Sequence, residues 1–155
     1  PMSEGHSDSY RLAQALDRVV RCLSATLKTE LQRDEGPPFG HLGGVVLLAV
    51  SDIQPCSIGA LTSRVGRDHS QMTRVLRGLE DLGLLQRAPD RSDRRVSIIS
   101  LTDQGEDTVK HLRVRMSEAV DTLASRLSLK DRRQLVPLME KLALATEISE
   151  HAQEK

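Results

Sequence analysis

Aromatic side chains are almost missing from this chain: there is no tryptophan, and Tyr10 and Phe39 are the only rings of their kind in 155 residues. Any core must therefore be assembled from Leu, Val, Ile and Ala. With apolar residues at only 38%, one copy has little to spare for a self-contained interior, as in chains that finish their core against a second copy. Cysteine is scarce too. Cys22 and Cys56 are too few and too poorly spaced for a disulfide framework or a zinc site, and reduced thiols in a cytosol fit them best. No apolar stretch approaches the ~18 residues needed to span a bilayer, and no charged-then-apolar leader opens the sequence. A soluble, cytoplasmic protein with no membrane partner is expected. Also absent are a Ser/His/Asp set, a paired-carboxylate motif and a glycine-rich phosphate loop, so an enzyme is not expected and no cofactor is called for. His41 and His69 stand alone, whereas a metal site needs three or four converging ligands.

Net charge is zero, but its distribution is uneven. Between Ser57 and Thr102 there are eight arginines (Arg64, Arg67, Arg74, Arg77, Arg87, Arg91, Arg94, Arg95) against five acids (Asp68, Glu80, Asp81, Asp90, Asp93), a balance of +3, and no lysine. The rest of the chain carries 14 basic and 17 acidic residues, a balance of −3. Arginine is the side chain whose planar fork pairs with guanine edges and phosphates two bonds at a time.

That basic segment has helical neighbours on both sides. From about Asp8 to Arg33, Leu12, Leu16, Val19, Leu23, Leu27 and Leu31 recur at helical spacing and make one apolar stripe. Glu35-Gly36-Pro37-Pro38 ends that helix, and Phe39 to Val50 reads as a short buried helix weakened by Gly43 and Gly44. Towards the far end, Val109, Leu112, Met116, Val120, Leu123 and Leu127 form a second stripe. Ser128-Leu129-Lys130-Asp131 then looks like a cap opening a last helix with Leu135, Leu138, Met139, Leu142 and Ile148, which Pro137 should kink or shorten.

Within the segment, Ser57 can cap a helix whose Ile58, Leu61 and Val65 face inward, and Gly66-Arg67 makes a turn. Asp68, with Gln71 three residues on, resembles a capping box that starts a second helix. At about 100° per residue, Met72, Val75, Leu76, Leu79 and Leu82 share one face of it, while Ser70, Arg74 and Arg77 lie opposite, flanked by Gln71 and Thr73. Gly83 stops it. Leu84 to Ala88 and the β-branched run Val96 to Leu101 read as two strands of a ribbon, joined by the tip Asp90-Arg91-Ser92-Asp93-Arg94-Arg95. A recognition-type helix followed by a charged hairpin is a layout for touching duplex DNA in two places, the helix in the major groove and the hairpin on the flanking minor groove.

These residues resemble the MarR family of bacterial winged-helix transcriptional regulators. The likeness rests on Ser57-Ile58-Gly59-Ala60-Leu61, Thr73-Arg74-Val75-Leu76, Leu79-Glu80-Asp81-Leu82-Gly83-Leu84-Leu85, the Asp-Arg-Arg wing, and Leu101-Thr102-Asp103-Gln104-Gly105. It implies a mainly α fold with a small β-wing, namely a winged helix-turn-helix over 35–103 and interlocking dimerisation helices over 8–34 and 104–150. It further implies a homodimer that binds a pseudo-palindromic operator, as a repressor released by a small effector. Carried over residue by residue, the likeness puts Ser70, Gln71, Thr73, Arg74 and Arg77 in or beside the major groove, Arg94 and Arg95 at the wing tip, and Asp93 as the acid that braces the wing through an arginine. Gly43, Gly44 and Pro137 depart from the family's helices, and a phenol-lined pocket cannot be built from Phe39 and Tyr10 alone.

An effector is expected near His41 and Val45, where Gly43 and Gly44 would leave room. The competing trigger is oxidation of Cys22 or Cys56. Cys56 sits beside a helix N-terminus, which lowers a thiol pKa, although a small buried residue is the simpler reading. Cys22 is on the shoulder of the first stripe. A winged helix used for protein association would carry an apolar face over Ser70 to Asp81, and this one carries arginine.

Overall fold

A computed structural model of the protein describes the backbone of residues 4–32 and 38–153, and the side chains of 7–29 and 38–144. The helix terminator expected at 35–37, and the side chains of Leu31 and Ile148, lie outside the described residues. The elements run α1 (Glu4–Gln32), α2 (Gly40–Ile53), β1 (Cys56–Ser57), α3 (Ile58–Val65), α4 (His69–Asp81), β2 (Leu85–Pro89), β3 (Ser97–Leu101), α5 (Asp103–Leu123), a 3-10 turn (Ala124–Arg126) and α6 (Leu129–Gln153). They fall into two compact units, divided between Ala119 and Val120.

The core of the first unit is aliphatic. Val46, Leu47 and Val50 of α2, Leu61 of α3, Leu76 of α4 and Ile99 of β3 are completely buried, and Met72 and Leu79 almost so. Each such side chain contributes ~1.5–3 kcal/mol relative to exposure. Phe39 packs against this cluster from its edge. Its side chain explains Gly43, because a Cβ there would stand 2.7 Å from Phe39 Cβ. The space at Gly43 is thus filled by Phe39, and does not remain open for a ligand.

The short helices begin and end as their sequences dictate. Ser57 Oγ accepts from Ala60 N at 3.2 Å to start α3, which ends at Gly66 with φ +67°. Asp68 Oδ1 accepts from Gln71 N at 2.9 Å to start α4. At the other end of α4, Gly83 takes φ +72°, its N–H bonds Glu80 O, and Leu84 N–H bonds Leu79 O, the paired bonds of a Schellman cap.

The wing is three-stranded. β2 and β3 pair antiparallel with Leu85 opposite Leu101 and Pro89 opposite Ser97, and β1 adds Cys56 opposite Ile99 on the far side of β3. A two-stranded ribbon was expected, since a two-residue strand is too short to show a period. Beyond β1, the Gln54 side chain takes over: its Oε1 accepts from Leu101 N at 2.8 Å and its Nε2 donates to Glu106 Oε1 at 2.8 Å, joining α2, β3 and α5.

In the second unit, Ser128 and Asp131 form the expected reciprocal cap, with Asp131 N to Ser128 Oγ at 3.1 Å and Ser128 N to Asp131 Oδ2 at 3.2 Å. Arg132 donates to Asp121 Oδ1 and to Ala124 O, both at 2.9 Å, across the turn into α6. α6 continues through Pro137 to Gln153 and is not shortened. The proline removes one backbone donor, and the hydrogen bonds on either side carry the helix past it.

The Leu-Thr-x-x-Gly segment acquires a physical reason. Thr102 Oγ1 donates to Gly83 O at 2.6 Å and accepts from Gly105 N at 3.0 Å, while Thr102 N donates to Leu84 O at 3.1 Å. A Cβ on Gly105 would lie 2.0 Å from Leu84 O, so only glycine lets α5 start against this backbone. Overpacking against a backbone that cannot yield costs ~1–3 kcal/mol or more. Gly105→Ala is therefore expected to lower stability by at least ~2 kcal/mol, and Thr102→Val by ~1–2 kcal/mol through the lost cap and hydrogen bond. Urea unfolding measures both; values within ~0.5 kcal/mol of the parent, the usual range for inert surface changes, would show that the junction is not under constraint.

Candidate nucleic-acid interface

α4 turns one face into the core with Met72, Leu76 and Leu79 and presents the other to solvent. Ser70, Gln71, Thr73, Arg74 and Arg77 are all exposed, as the helical spacing predicts. Two of them are already engaged within the helix. Ser70 Oγ donates to Asp68 Oδ1 at 2.6 Å and Thr73 Oγ1 donates to His69 O at 2.9 Å, so each hydroxyl keeps acceptor capacity outward with its proton committed. The Ser70 bond, followed by that of the Gln71 amide, holds the Asp68 carboxyl below its ordinary pKa.

Arginines divide by what they hold. Arg87 of β2 grips Glu80 of α4 through two bonds, Nε to Oε1 at 2.7 Å and Nη2 to Oε2 at 3.1 Å, which ties wing to helix. Arg64 of α3 lies 3.9 Å from Asp52, whose other oxygen takes Arg113 of α5 at 3.0 Å. By contrast, Arg67, Arg74, Arg77, Arg91 and Arg94 are exposed, and their side chains make no hydrogen bond or ion pair with any of the described residues. Arg67 and Arg91 were not singled out in the sequence. They belong with this set because their neighbours leave them unengaged, and that is visible only in three dimensions.

At the wing tip, Arg95 Nε lies 3.4 Å from Asp93 Oδ1 with the arginine 94% exposed, and the same oxygen accepts from Arg95 N at 3.0 Å. The turn itself is organised by Asp90. Its Oδ1 accepts from Ser92 N at 2.7 Å, from Asp93 N at 3.0 Å and from the Ser92 hydroxyl, while Asp90 N and Val96 N close the hairpin onto Val96 O and Asp93 O, each at 2.9 Å. The Ser92 hydroxyl above all, with the two amides, pulls the Asp90 carboxyl below its ordinary pKa. An acid at the first position of a turn was a legible signal for this role.

His41 and Val45 come together with Leu27, Gly44, Leu48, Asp52, Arg64, Val65, Leu112, Arg115 and Met116 around a cavity of about 300 Å³. Its lining is mostly aliphatic, with Asp52, Arg64, Arg115 and His41 as polar groups. The cysteines lie elsewhere. Cys56 is buried in β1, and desolvation pushes its thiol up in pKa, opposite to the lowering expected from a neighbouring helix N-terminus. Cys22 is exposed on α1. No helix among the described residues is long and apolar enough to cross a membrane.

A capped helix-turn-helix followed by a three-stranded wing, with free arginines on helix and tip, defines a winged helix-turn-helix protein. The profile of the MarR family matches residues 44–97. The HTH-type transcriptional regulator BilQ of Clostridium symbiosum is 30% identical over 120 residues, covering 77% of this chain and 81% of that protein. The uncharacterized HTH-type transcriptional regulator YwhA of Bacillus subtilis is 25% identical over 124 residues, 78% of this chain and 89% of its own. In fold, the chain is similar to apo wild-type MarR from E. coli, with a TM-score of 0.74 at 19% identity over 84% of this chain and 95% of that one. It is also similar to Bordetella bronchiseptica BpsR, whose DNA binding is regulated by 6-hydroxynicotinic acid, with a TM-score of 0.65 at 21% identity over 86% and 98% of the two chains. This chain belongs to the MarR family, which makes it a DNA-binding transcriptional regulator and not an enzyme.

The Asp90 cradle sets a pH dependence. Its folded-state pKa is depressed, so the order it confers is present above the carboxyl's ordinary range and is lost as pH falls through the lowered value. Amide NMR signals of Ser92 and Asp93 are expected to hold still down to about pH 4, the usual aspartate midpoint, and to shift only below it. Asp90→Ala should shift them at neutral pH. Movement centred at or above the ordinary aspartate value would contradict the cradle.

Proposed function

We propose that the protein is a homodimeric repressor that binds a pseudo-palindromic duplex, with α4 in the major groove and the wing tip on the flanking minor groove, and that a small effector releases it. One observation carries this reading: arginines that pair with none of the described residues, Arg74 and Arg77 on α4 and Arg91 and Arg94 on the wing, lie on the helix and hairpin that a winged helix presents to DNA. Arg74 reads a guanine edge with its fork, Gln71 offers an amide to a neighbouring base, and Ser70 and Thr73 accept from base amino groups or meet the backbone. Arg77 neutralises phosphate. Arg94 and Arg95 enter the minor groove, supported by Asp93. An arginine-lined outward face argues against a protein-association role.

Assembly rests on apolar surface that one copy leaves uncovered. Leu12 and Val19 on α1 are 50% and 53% exposed, and Val120, Leu123, Leu135, Leu138, Met139 and Leu142 are also exposed. Residues 8–34 and 104–150 are the dimerisation region in this reading, and 35–103 the DNA-binding unit. The protein acts in the cytoplasm.

The effector enters the cavity at His41 and Val45, its apolar body against Leu48, Leu112 and Met116 and its polar end towards Asp52 and Arg64. Because Arg64 belongs to α3 and Arg115 to α5, a ligand there bears on both the helix-turn-helix and the helix that leaves it. It releases DNA only by binding the DNA-incompetent arrangement more tightly. The small-ligand control of BpsR supports this trigger over oxidation of Cys22 or Cys56, as does the burial of Cys56.

Selection from a random duplex pool, followed by anisotropy titration, tests the reading. The expected product is a two-fold-related site, and Arg74→Ala should lose ~1–3 kcal/mol on it while relaxing preference at one base position per half-site. A uniform loss on all sequences would make Arg74 a phosphate contact. Sedimentation should give a dimer at micromolar concentration, and a folded monomer would defeat the assembly. Release by peroxide from the parent, but not from a Cys22→Ser, Cys56→Ser double variant, would replace the ligand with a redox trigger.

A further inference from the structure

Gly78 occupies the interior of α4, where glycine destabilises a helix by ~1 kcal/mol relative to alanine. Nothing among the described residues accounts for it. Its φ lies outside the left-handed region, unlike Gly66 and Gly83 at the two turns, and a Cβ built on it would have no atom within 4 Å. Gly43 and Gly105, by comparison, are held by close neighbours, Phe39 and Leu84. Gly78 is exposed, one turn after Arg74 and two turns after Gln71, so Gln71, Arg74 and Gly78 form one row along a flank of the outward face of α4, with Arg77 about 100° further round the helix. The row therefore runs from an amide through a free guanidinium to bare backbone.

We infer that Gly78 is a close-approach position, where the missing side chain lets the sugar–phosphate wall of the groove come against the α4 backbone and so sets how deeply Gln71 and Arg74 reach. A helix offering arginine forks to base edges must sit with its backbone near one groove wall, and a side chain at the nearest point would act as a spacer. Arg74, one turn earlier in the same row, and Arg77, across the outward face, supply the charge that draws that wall inward. The inference rests on DNA binding through α4, and it adds a steric requirement that the charged residues do not express.

The experiment compares Gly78→Ala and Gly78→Leu with the parent as full-length dimers, by thermal unfolding and by anisotropy on a duplex selected from a random pool by the parent protein. Free of DNA, Gly78→Ala should melt ~2–4 °C higher, because the better helix former meets open space. Gly78→Leu should melt no lower than the parent yet bind the selected duplex at least ~10-fold more weakly, the scale of one displaced bidentate base contact. Gly78→Ala should fall between. If Gly78→Leu binds as tightly as the parent, the inference is wrong while DNA binding through α4 stands. A lower melting point for Gly78→Ala would also overturn it, by showing that the chain or its dimer needs the glycine. If the parent itself selects no duplex, the DNA-binding reading fails first.

Discussion

One threonine fastens the recognition helix, the wing and the following helix to one another. Thr102 reaches the Gly83 carbonyl in the cap of α4, bonds Leu84 just ahead of β2 through its amide, and caps α5 with the same hydroxyl. This works only because Gly105 has no side chain and Leu84 O can lie where a Cβ would be. Every element that would touch a duplex is aimed from this point. The aim of Arg74 depends on the axis of α4, that of Arg94 on β2 and β3, and both are referred to α5 through a few backbone atoms.

Charge is then sorted around that frame. Arg87 with Glu80, and Arg64 and Arg113 with Asp52, use acids at α4 and α2 to hold neighbouring elements, in partly exposed sites where each pair contributes modestly to stability but fixes direction. Asp68 and Asp90 do similar work with backbone amides, one at a helix start and one at a hairpin tip. What remains is a set of arginines with neither acid nor amide to satisfy among the described residues. Solvated guanidinium groups lose little by waiting in water, and they gain bidentate partners when a phosphate or a guanine edge arrives.

The poverty of the core has the same logic. Without tryptophan and with one phenylalanine, packing is carried by aliphatic residues of α2, α3, α4 and β3, which suffices for the DNA-binding unit. Leucines and valines of α1, the end of α5 and α6 stay in contact with water. Surface of that kind is what a symmetric partner covers in a closed assembly.

Much of this could be read from local patterns. Capping chemistry at Ser57, Asp68 and Ser128, the stop at Gly83 and the outward row of Ser70, Arg74 and Arg77 depend on residues within four positions of one another, and such short-range rules appear directly in sequence. Pro137 does not shorten α6, because the hydrogen bonds on either side of the missing donor continue the helix. β1, the Gln54 clip and the Arg87–Glu80 grip were invisible, since each joins a residue to a distant strand or helix that no period announces. By itself the sequence determined the helices, the hairpin of the wing and which face of α4 looks outward, because those follow from period and capping. Only the tertiary structure decided which arginines are consumed within the fold and which are left over, why Gly43 and Gly105 must be glycine while Gly78 need not be for packing, and that His41 and Arg64 line one cavity. Those outcomes depend on which atoms long-range packing brings within a few ångströms, and distance in space is not written in distance along the chain.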